Sequence, residues 1–407
     1  MKYFQKLTLG ILLFSFIIQC SDKSNDFDDS KSQQFRVLED IPQHIQELEN
    51  VTVFAGDSEP RYSIELIQEQ VFSIPRETEF SRIQRSAVDD QGKVIILDSD
   101  FSRTFPYLSQ LHVYNADGSY HTQIGGPGEE PGEYGLLFIV EVKAGKVFLV
   151  DFTYERLNVY NADDFSFERS TQIEQWAIME HEFVQGLGFP EIKTRNDGNH
   201  LALFGDADDH LIKSLLMDTD GNVLDFEPLT FPKRKTAITA GFNMMPYMGR
   251  TVIALSNEDD LYSIWTQDFL IKKYDANGIY QSAIYYPIKG ALFNPDEFAK
   301  TLKFKTRGIM EVFKVNDIEV PESFTISEDM RVDDENRIWV AIPAGEERES
   351  YEWWILEESG ELHAKLLLPR EQQIFDIKNG YLYSKRKNEE TDTESVIKYR
   401  INLTEKN

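Results

Sequence analysis

The chain has a single cysteine, Cys20, among its 407 residues. An internal disulfide is therefore excluded, and the fold must depend on packed apolar side chains. Basic residues are also scarce, because 42 lysines and arginines stand against 70 acidic residues, and the formal net charge is −28. A surface of this charge repels phosphate backbones, so the sequence predicts no binding of nucleic acid.

Long hydrophobic runs are absent except near the N-terminus, where Leu7–Ile18 is apolar and follows Lys2 and Lys6. This run is too short to span a bilayer and has the length of a signal-peptide core. The sequence Ile17–Cys20 resembles a bacterial lipobox, with a glutamine in place of the usual small residue before the cysteine. We therefore expect a lipoprotein signal peptide at 1–19 and attachment to the membrane through acylated Cys20. The alternative is a cysteine that stands there by chance.

Residues 20–50 are polar and acidic and contain few side chains that suit a core. This composition predicts a flexible tether, with a short helix near His44–Leu48. The acidic run after Cys20 is similar to the export signal of surface-exposed lipoproteins in some Gram-negative lineages. An ordinary solvated linker explains it equally well. We expect an outer-membrane lipoprotein of the cell envelope, with the side of the membrane left open.

Catalytic motifs are also lacking. There is no Gly-x-Ser-x-Gly elbow and no P-loop, and none of the seven histidines forms a metal-spaced pair. His112 and His200 fall within predicted strands, where we expect packing or surface roles. The sequence therefore leaves open whether the protein is an enzyme and favours a binding protein.

What the chain does contain is a repeat. Gly92, Gly145 and Gly198 each precede a short apolar strand and are spaced 53 residues apart. Asx-rich hairpins follow these strands, and Asx-Gly pairs supply the positive φ angles of tight turns. Six copies of the inner strand and five clear hairpins predict an all-β fold, a six-bladed β-propeller of four-stranded antiparallel blades over residues 51–407. The alternative is a two-sheet sandwich.

The predicted last blade lacks an outer strand. The early strand Tyr62–Ile67 lies before the first full repeat, and we expect it to pair with the strands around Ser395–Ile401. One blade would then contain both ends of the propeller and close the ring.

Two segments carry a family resemblance. Val150-Asp151 followed by Arg156–Tyr160 resembles an NHL-type propeller repeat, and the glycine-rich run Ile124–Tyr134 resembles the segment between blades in that family. With the lipoprotein signal, the chain resembles the six-bladed β-propeller lipoproteins of Gram-negative bacteria. The resemblance implies the fold and the location, with binding of a ligand or partner as an expectation. The alternative function is an envelope hydrolase or lactonase with a carboxylate-lined central channel.

Carboxylates recur at the ends of equivalent strands, at Asp98, Asp151 and close to the same place at Asp206. One interpretation is a ring that binds a cation such as Ca²⁺ on the propeller axis. The other is that each aspartate accepts backbone amide hydrogens in its own blade or pairs with an arginine such as Arg156. Their repetition in successive blades favours the second interpretation.

Two insertions interrupt the repeat. The first, 232–250, is rich in methionine, whose flexible side chain suits adaptable binding surfaces. The second, 286–324, contains a helical insertion near 290–312 that begins at Asn294-Pro295 and carries a basic cluster. Both insertions follow outer strands, so we expect them on one face, forming an apolar floor with a basic rim for an anionic ligand, glycan or acidic envelope protein. The alternatives are a loop that buries its own side chains and a helix that balances local acidic charge. The predicted site residues are Phe242, Met244, Met245, Tyr247, Phe298, Lys300, Lys303 and Arg307.

Overall fold

The structure is a computed structural model, and it describes residues 35–74, 82–100, 108–188, 190–205, 211–233, 249–301, 309–315, 319–345 and 348–406. The predicted signal peptide and Cys20 lie outside the described residues. Before the first blade, the described elements are β1 (Phe35–Val37), α1 (Gln43–Gln46), β2 (Val51–Val53) and β3 (Tyr62–Ser73).

Blades 1 to 3 are consecutive four-stranded antiparallel sheets. Blade 1 contains β4 (Ile83–Val88), β5 (Val94–Asp100), β6 (Leu108–Tyr114) and β7 (Tyr120–Ile124), and the short strands β8 (Gly126–Pro127) and β9 (Glu133–Tyr134) follow it. Blade 2 contains β10 (Leu137–Lys143), β11 (Lys146–Asp151), β12 (Arg156–Asn161) and β13 (Phe167–Gln172), followed by 3₁₀ turns at Ile173–Gln175 and Ala177–Glu180. Blade 3 contains β14 (Glu191–Thr194), β15 (His200–Gly205), β16 (Leu211–Met217) and β17 (Leu229–Pro232).

Blades 4 to 6 continue the same pattern. Blade 4 contains β18 (Thr251–Leu255), β19 (Leu261–Trp265), β20 (Leu270–Tyr274) and β21 (Tyr280–Tyr285), and β22 (Ile288–Gly290), α2 (Pro295–Thr301) and α3 (Ile309–Val315) follow it. Blade 5 contains β23 (Asp329–Val332), β24 (Ile338–Ala344), β25 (Ser350–Leu356) and β26 (Leu362–Pro369). Blade 6 contains β27 (Ile374–Lys378), β28 (Tyr381–Lys387) and β29 (Glu394–Glu405), with β3 as its outer strand. The predicted six-bladed β-propeller is confirmed.

Two-residue turns join the first two strands of blades 2 and 6. Ala144 and Gly145 have φ angles of 51° and 69°, and Asn379 and Gly380 have φ angles of 55° and 74°. Positive φ at both positions is the type I′ geometry, whose twist matches that of the flanking strands. The glycine register seen in the sequence therefore marks the turn at one rim of the ring.

The apolar core lies between neighbouring blades. Ile264, Tyr286 and Trp354 are fully buried between blades 4 and 5, and the rings of Tyr286 and Trp354 meet edge to face at 5.5 Å. Full burial of such a side chain contributes roughly 1.5–3 kcal/mol. One blade alone cannot bury these residues, so each sheet depends on the next.

Both ends of the propeller meet in blade 6. Strand β3 pairs antiparallel with β29 along their whole lengths, from Ser73 opposite Ser395 to Tyr62 opposite Glu405. The predicted pairing of the two segments is confirmed and is longer than the sequence indicated. A single parallel bridge between Tyr62 and Ala364 also joins β3 to blade 5.

The last part of the segment expected to be a flexible tether is packed against the ring. Strand β1 pairs with β22, and β2 adds a fifth, parallel strand to blade 4 beside β21. Phe35 meets the ring of Trp354 at 5.7 Å, and Ile45 of α1 is fully buried. The expectation of a tether to residue 50 was therefore wrong from Phe35 onward, because the apolar residues of this part, such as Ile41, Ile45 and Leu48, pack against the ring. The predicted short helix is present as α1.

The second insertion has the predicted helix start. The side chain of Asn294 accepts a hydrogen bond from the backbone N–H of Asp296 at 3.0 Å, and Pro295 occupies the first helical position. Phe298 of α2 is fully buried and packs against Phe293 and Phe313 of the same insertion. None of the helices that the structure describes is long and apolar enough to cross a bilayer.

Candidate ligand-binding channel

A central channel of about 1630 Å³ runs through the ring. Residues from the innermost strand of every blade line it, and these strands are β4, β10, β14, β18, β23 and β27. The channel therefore depends on closure of the ring. Its two rims differ in chemistry.

The turn rim is the rim at which each innermost strand turns into the second strand. Polar contacts at this rim link all six blades in a closed series. At least one polar contact joins each neighbouring pair of blades, so this rim is held as one unit. In order from blade 1, the contacts are Lys93 Nζ to Asp163 O at 3.2 Å, Lys143 Nζ to Asn196 Oδ1 at 3.0 Å, Asn196 Nδ2 to Asn257 O at 3.0 Å, Asn257 Nδ2 to Asp334 O at 3.0 Å, Asn379 N to Asp334 Oδ2 at 2.6 Å, and Lys378 Nζ to Asp90 Oδ1 at 2.5 Å.

Two acids reinforce this rim from the channel wall. Glu141 accepts the backbone N–H of Thr194 at 2.6 Å, and Asp376 accepts that of Val88 at 3.2 Å, so each links neighbouring blades. Burial raises the pKa of both carboxyl groups, and the charge of Lys143 partly opposes this rise. Their contacts indicate a structural role.

The opposite rim, which we call the open rim, carries an exposed aromatic pair. Phe138 of β10 is 45% exposed and Phe152, directly after β11, is 52% exposed. Their rings meet edge to face with centroids 5.2 Å apart, and both side chains line the channel. Aromatic surface that is left open to solvent in a concave site is a common feature of ligand recognition.

Acids near the open rim have cationic partners. Glu328 pairs with Arg348 and Arg370 and accepts a hydrogen bond from the Tyr351 hydroxyl at 2.9 Å. In the channel wall, Lys193 pairs with Glu191 at 3.3 Å, and Arg331 pairs with Asp329 at 3.1 Å. These carboxylates are therefore already paired with cationic side chains of the same chain.

Two arginines of the channel lining contact carbonyl oxygens instead. Arg85 of β4 donates to the backbone oxygen of Gln84 at 3.0 Å, and Arg250 donates to that of Glu328 at 2.5 Å. Within the described part of the chain, neither has a carboxylate within 4.0 Å. Partial desolvation by the channel wall lowers the pKa of Arg85, and the charge of Arg331 lowers it further. Both side chains reach solvent in the channel.

The aspartates considered for an axial cation bind protein groups. Asp98 accepts the backbone N–H of Arg82 at 3.0 Å. Asp151 accepts the N–H groups of Gly135 and Thr153 at 3.1 and 3.0 Å and lies 3.5 Å from Arg156 Nε. These are the contacts of the structural interpretation. Asp206 lies outside the described residues, and the described part of the chain holds no cluster of three or more His, Cys, Asp or Glu side chains suited to a metal ion.

The glycine-rich segment is likewise structural. Arg156 donates to the backbone oxygens of Glu129 and Glu133, each at 2.8 Å, and the Tyr160 hydroxyl donates to that of Gly132 at 2.6 Å. Gly125 has a φ of 53°, and a Cβ there would lie 2.5 Å from the oxygen of Gly132. The segment that carries the NHL-type resemblance therefore fastens the connection between blades 1 and 2.

Most of the site predicted on the insertions lies outside the described residues. This applies to Phe242, Met244, Met245, Tyr247, Lys303 and Arg307, and to the side chain of Lys300. Phe298 is described and is buried, so it does not form part of an exposed apolar floor. Arg250 is the last residue of the first insertion, and Glu328 lies between the second insertion and β23. The side chain of Arg250 donates a hydrogen bond to the backbone oxygen of Glu328. These described ends meet at the open rim.

Sequence reasoning missed the channel residues Arg85, Phe138, Phe152 and Arg250. Phe138 and Phe152 lie in strand sequences whose pattern matches that of core residues, and Arg85 and Arg250 are single basic residues within or directly before an innermost strand. The spacing of the repeat was the available signal, because it places these positions of different blades around one axis.

A family model and one solved structure support the fold, and further solved structures resemble the chain more distantly. Residues 75–186 match the sequence model of a family described as a 6-bladed beta-propeller. A solved structure from Bacteroides fragilis, which carries the description of an exported protein, is similar with a TM-score of 0.50 and 13% identity, over 87% of this chain and 100% of that chain. A member of the duf4221 family from Bacteroides vulgatus has a TM-score of 0.49 and 13% identity, over 85% and 100% of the two chains. Virginiamycin B lyase from Staphylococcus aureus has a TM-score of 0.41 and 12% identity, over 83% and 99%. None of the curated proteins compared with the chain matches it.

The fold and the channel define a class of protein. The chain is a six-bladed β-propeller with a central channel. Polar contacts link its blades at one rim of the channel, and exposed aromatic rings lie at the other rim.

Proposed function

We propose that this protein is a lipid-anchored binding protein of the bacterial envelope, and that its ligand enters the open rim and packs a ring on Phe138 and Phe152. The observation that carries the proposal is the exposure of these two phenyl rings within a polar channel. Aromatic side chains that remain open to solvent on a rigid scaffold lose little conformational entropy on binding, which favours their use as anchors.

The location rests on the N-terminal sequence. An apolar run of signal-peptide length is followed directly by Cys20. The description of the Bacteroides fragilis structure as an exported protein agrees with this location. Acylation would anchor the chain ahead of Phe35, the first described residue, which pairs with Gly290 on the ring.

The alternative, an envelope hydrolase or lactonase, would require a carboxylate or histidine that can exchange protons with a substrate in the channel. Glu191, Asp329 and Glu328 instead form ion pairs within the protein. Binding therefore explains the described channel with fewer assumptions than catalysis.

The proposal is tested by replacing both Phe138 and Phe152 with serine and measuring binding to an array of immobilised neutral and acidic oligosaccharides. Benzoate and other aromatic acids are included as soluble probes. We expect the native protein to bind at least one of these ligands and the double variant to bind it at least about ten-fold more weakly, because the stacking surface is removed. The matched control is Ile279→Ser, which removes an apolar side chain that is 54% exposed on a hairpin outside the channel. Unchanged binding by the double variant, or no binding by the native protein, would contradict the proposal.

A further inference from the structure

We infer that the ligand of the open rim carries a carboxylate that pairs with Arg85 while its ring packs on Phe138 and Phe152. This inference rests on the proposed function and adds the charge and chemical class of the ligand. The shared chemistry is a carboxylate attached to a ring with an apolar face, as in an acidic sugar or an aromatic acid.

The first argument is the unequal pairing of the channel cations. Lys193, Arg331, Arg370 and Lys378 each contact a carboxylate of this chain. Arg85 contacts only the backbone oxygen of Gln84 among the described residues, which leaves most of its N–H donors to solvent. A guanidinium with this many open donors suits bidentate recognition of a carboxylate.

The second argument is the electrostatic setting of Arg85. Arg331, Glu191 and Asp329 are the charged groups that act on it most strongly. Both acids are held by their own partners, Glu191 by Lys193 and Asp329 by Arg331. An incoming anion would therefore meet a guanidinium that has no carboxylate within 4.0 Å among the described residues.

The third argument concerns size and symmetry. A channel of about 1630 Å³ exceeds the roughly 300–1,000 Å³ of a typical small-molecule pocket, so it suits an oligomeric ligand better than a single small anion. Arg250 belongs to blade 4, which lies three blades from blade 1 in a ring of six, and among the described residues its side chain also bonds only to a backbone oxygen. A ligand that pairs with both Arg85 and Arg250 needs at least two carboxylates. A uronic-acid oligosaccharide carries one carboxylate on each sugar ring, and we therefore favour it over a single aromatic acid.

The experiment compares Arg85→Gln with the native full-length protein by isothermal titration calorimetry. The probes are a tetragalacturonate, the neutral tetrasaccharide of galactose, and benzoate. We expect tetragalacturonate to bind and the variant to weaken its affinity by about 10–100-fold, the range for a lost hydrogen bond to a charged group. Binding of tetragalacturonate to the native protein should also weaken with rising salt, which tests the charge pairing even if the variant folds poorly. Arg386→Gln, on the exposed part of β28, is the matched control and should leave the affinity unchanged.

The outcomes separate this inference from the proposed function. Equal binding of the neutral and acidic tetrasaccharides, with loss in the Phe138 and Phe152 double variant but not in Arg85→Gln, overturns the inference and leaves the proposed function standing. Binding that neither variant changes overturns both. Binding of benzoate but not of tetragalacturonate, lost in Arg85→Gln, supports the shared chemistry and identifies an aromatic acid as its source. If neither acidic probe binds, the inference is wrong.

Discussion

Replacing Phe72 with alanine tests whether the seam between the first and last blades stabilises the whole ring. Phe72 lies on β3, is fully buried, and packs with Ile83 and Tyr114 of blade 1 and Val396 of blade 6. Removal of a buried phenyl ring costs about 3–5 kcal/mol, because the apolar contacts are lost and a cavity remains. We expect the free energy of unfolding to fall by this amount.

Unfolding in guanidinium chloride, followed by tryptophan fluorescence, measures the effect. All five tryptophans are encoded after residue 172, in the region of blades 3 to 5, so none reports directly on the seam. A lower denaturant midpoint in Phe72→Ala would show that weaker packing between blades 1 and 6 also destabilises the blades on the far side of the ring. The control Phe138→Ala removes a partly exposed ring and should change stability by less than about 0.5–1 kcal/mol. An unchanged tryptophan transition in Phe72→Ala would refute the reasoning.

Three further predictions concern the turn rim, a buried histidine and the anchor. Asn196→Ala should lower stability by roughly 1–3 kcal/mol, because Asn196 links three blades through its side chain; the same loss in the exposed hairpin control Asn222→Ala would contradict this. Burial lowers the pKa of His200 to about 4. The neutral imidazole therefore contributes its full stabilisation above the unfolded pKa of about 6.5. As the pH falls from about 6.5 toward 4, the free energy of unfolding decreases, by at most about 3 kcal/mol. The difference in unfolding free energy between native protein and His200→Gln should shrink over that window, and a constant difference would exclude the mechanism. Cys20→Ala should leave an unprocessed or soluble precursor, while the native protein partitions into detergent; equal partitioning would refute the lipid anchor.

The ring was predictable because its determinants are local and repeated. Turn residues such as Gly145 and Asn379-Gly380 fix the hairpins wherever they occur, and their spacing gives the number of blades. The pairing of β3 with β29 was predictable by elimination, since the last blade lacked an outer strand. Its full length was not, because the alternation of apolar residues on β3 breaks where Ile67 follows Leu66, close to the register shift between Lys398 and Tyr399 on β29.

The packing of residues 35–53 was not predictable from composition. Apolar residues recur from Phe35 to Phe54, but averaging over residues 20–50 mixed them with the acidic run 21–34, which contains almost none. Each side chain fits a gap that exists only after blades 4 and 5 have formed, as Phe54 does by stacking on Tyr286 at 5.1 Å. Tertiary context therefore overrode the local signal.

The channel residues were hidden for a related reason. Phe138 and Phe152 occur in apolar strand surroundings that also supply buried residues such as Val140 and Val150. Only the curvature of the closed ring decides which of these side chains faces the channel. Sequence reasoning instead emphasised the insertions, whose irregular composition is visible without a fold.

The shared sixth blade also sets the order in which the molecule can be completed. Ser73 and Ser395 lie side by side yet are 322 residues apart in the chain, so a ribosome or an export channel delivers β3 long before its partner. Contacts between such distant residues close large loops and are associated with slow folding. In the interval, the twelve-residue strand β3 presents an unpaired edge that could join another chain. Glu65 and Glu69 place charge on that strand, which opposes such pairing until β29 arrives.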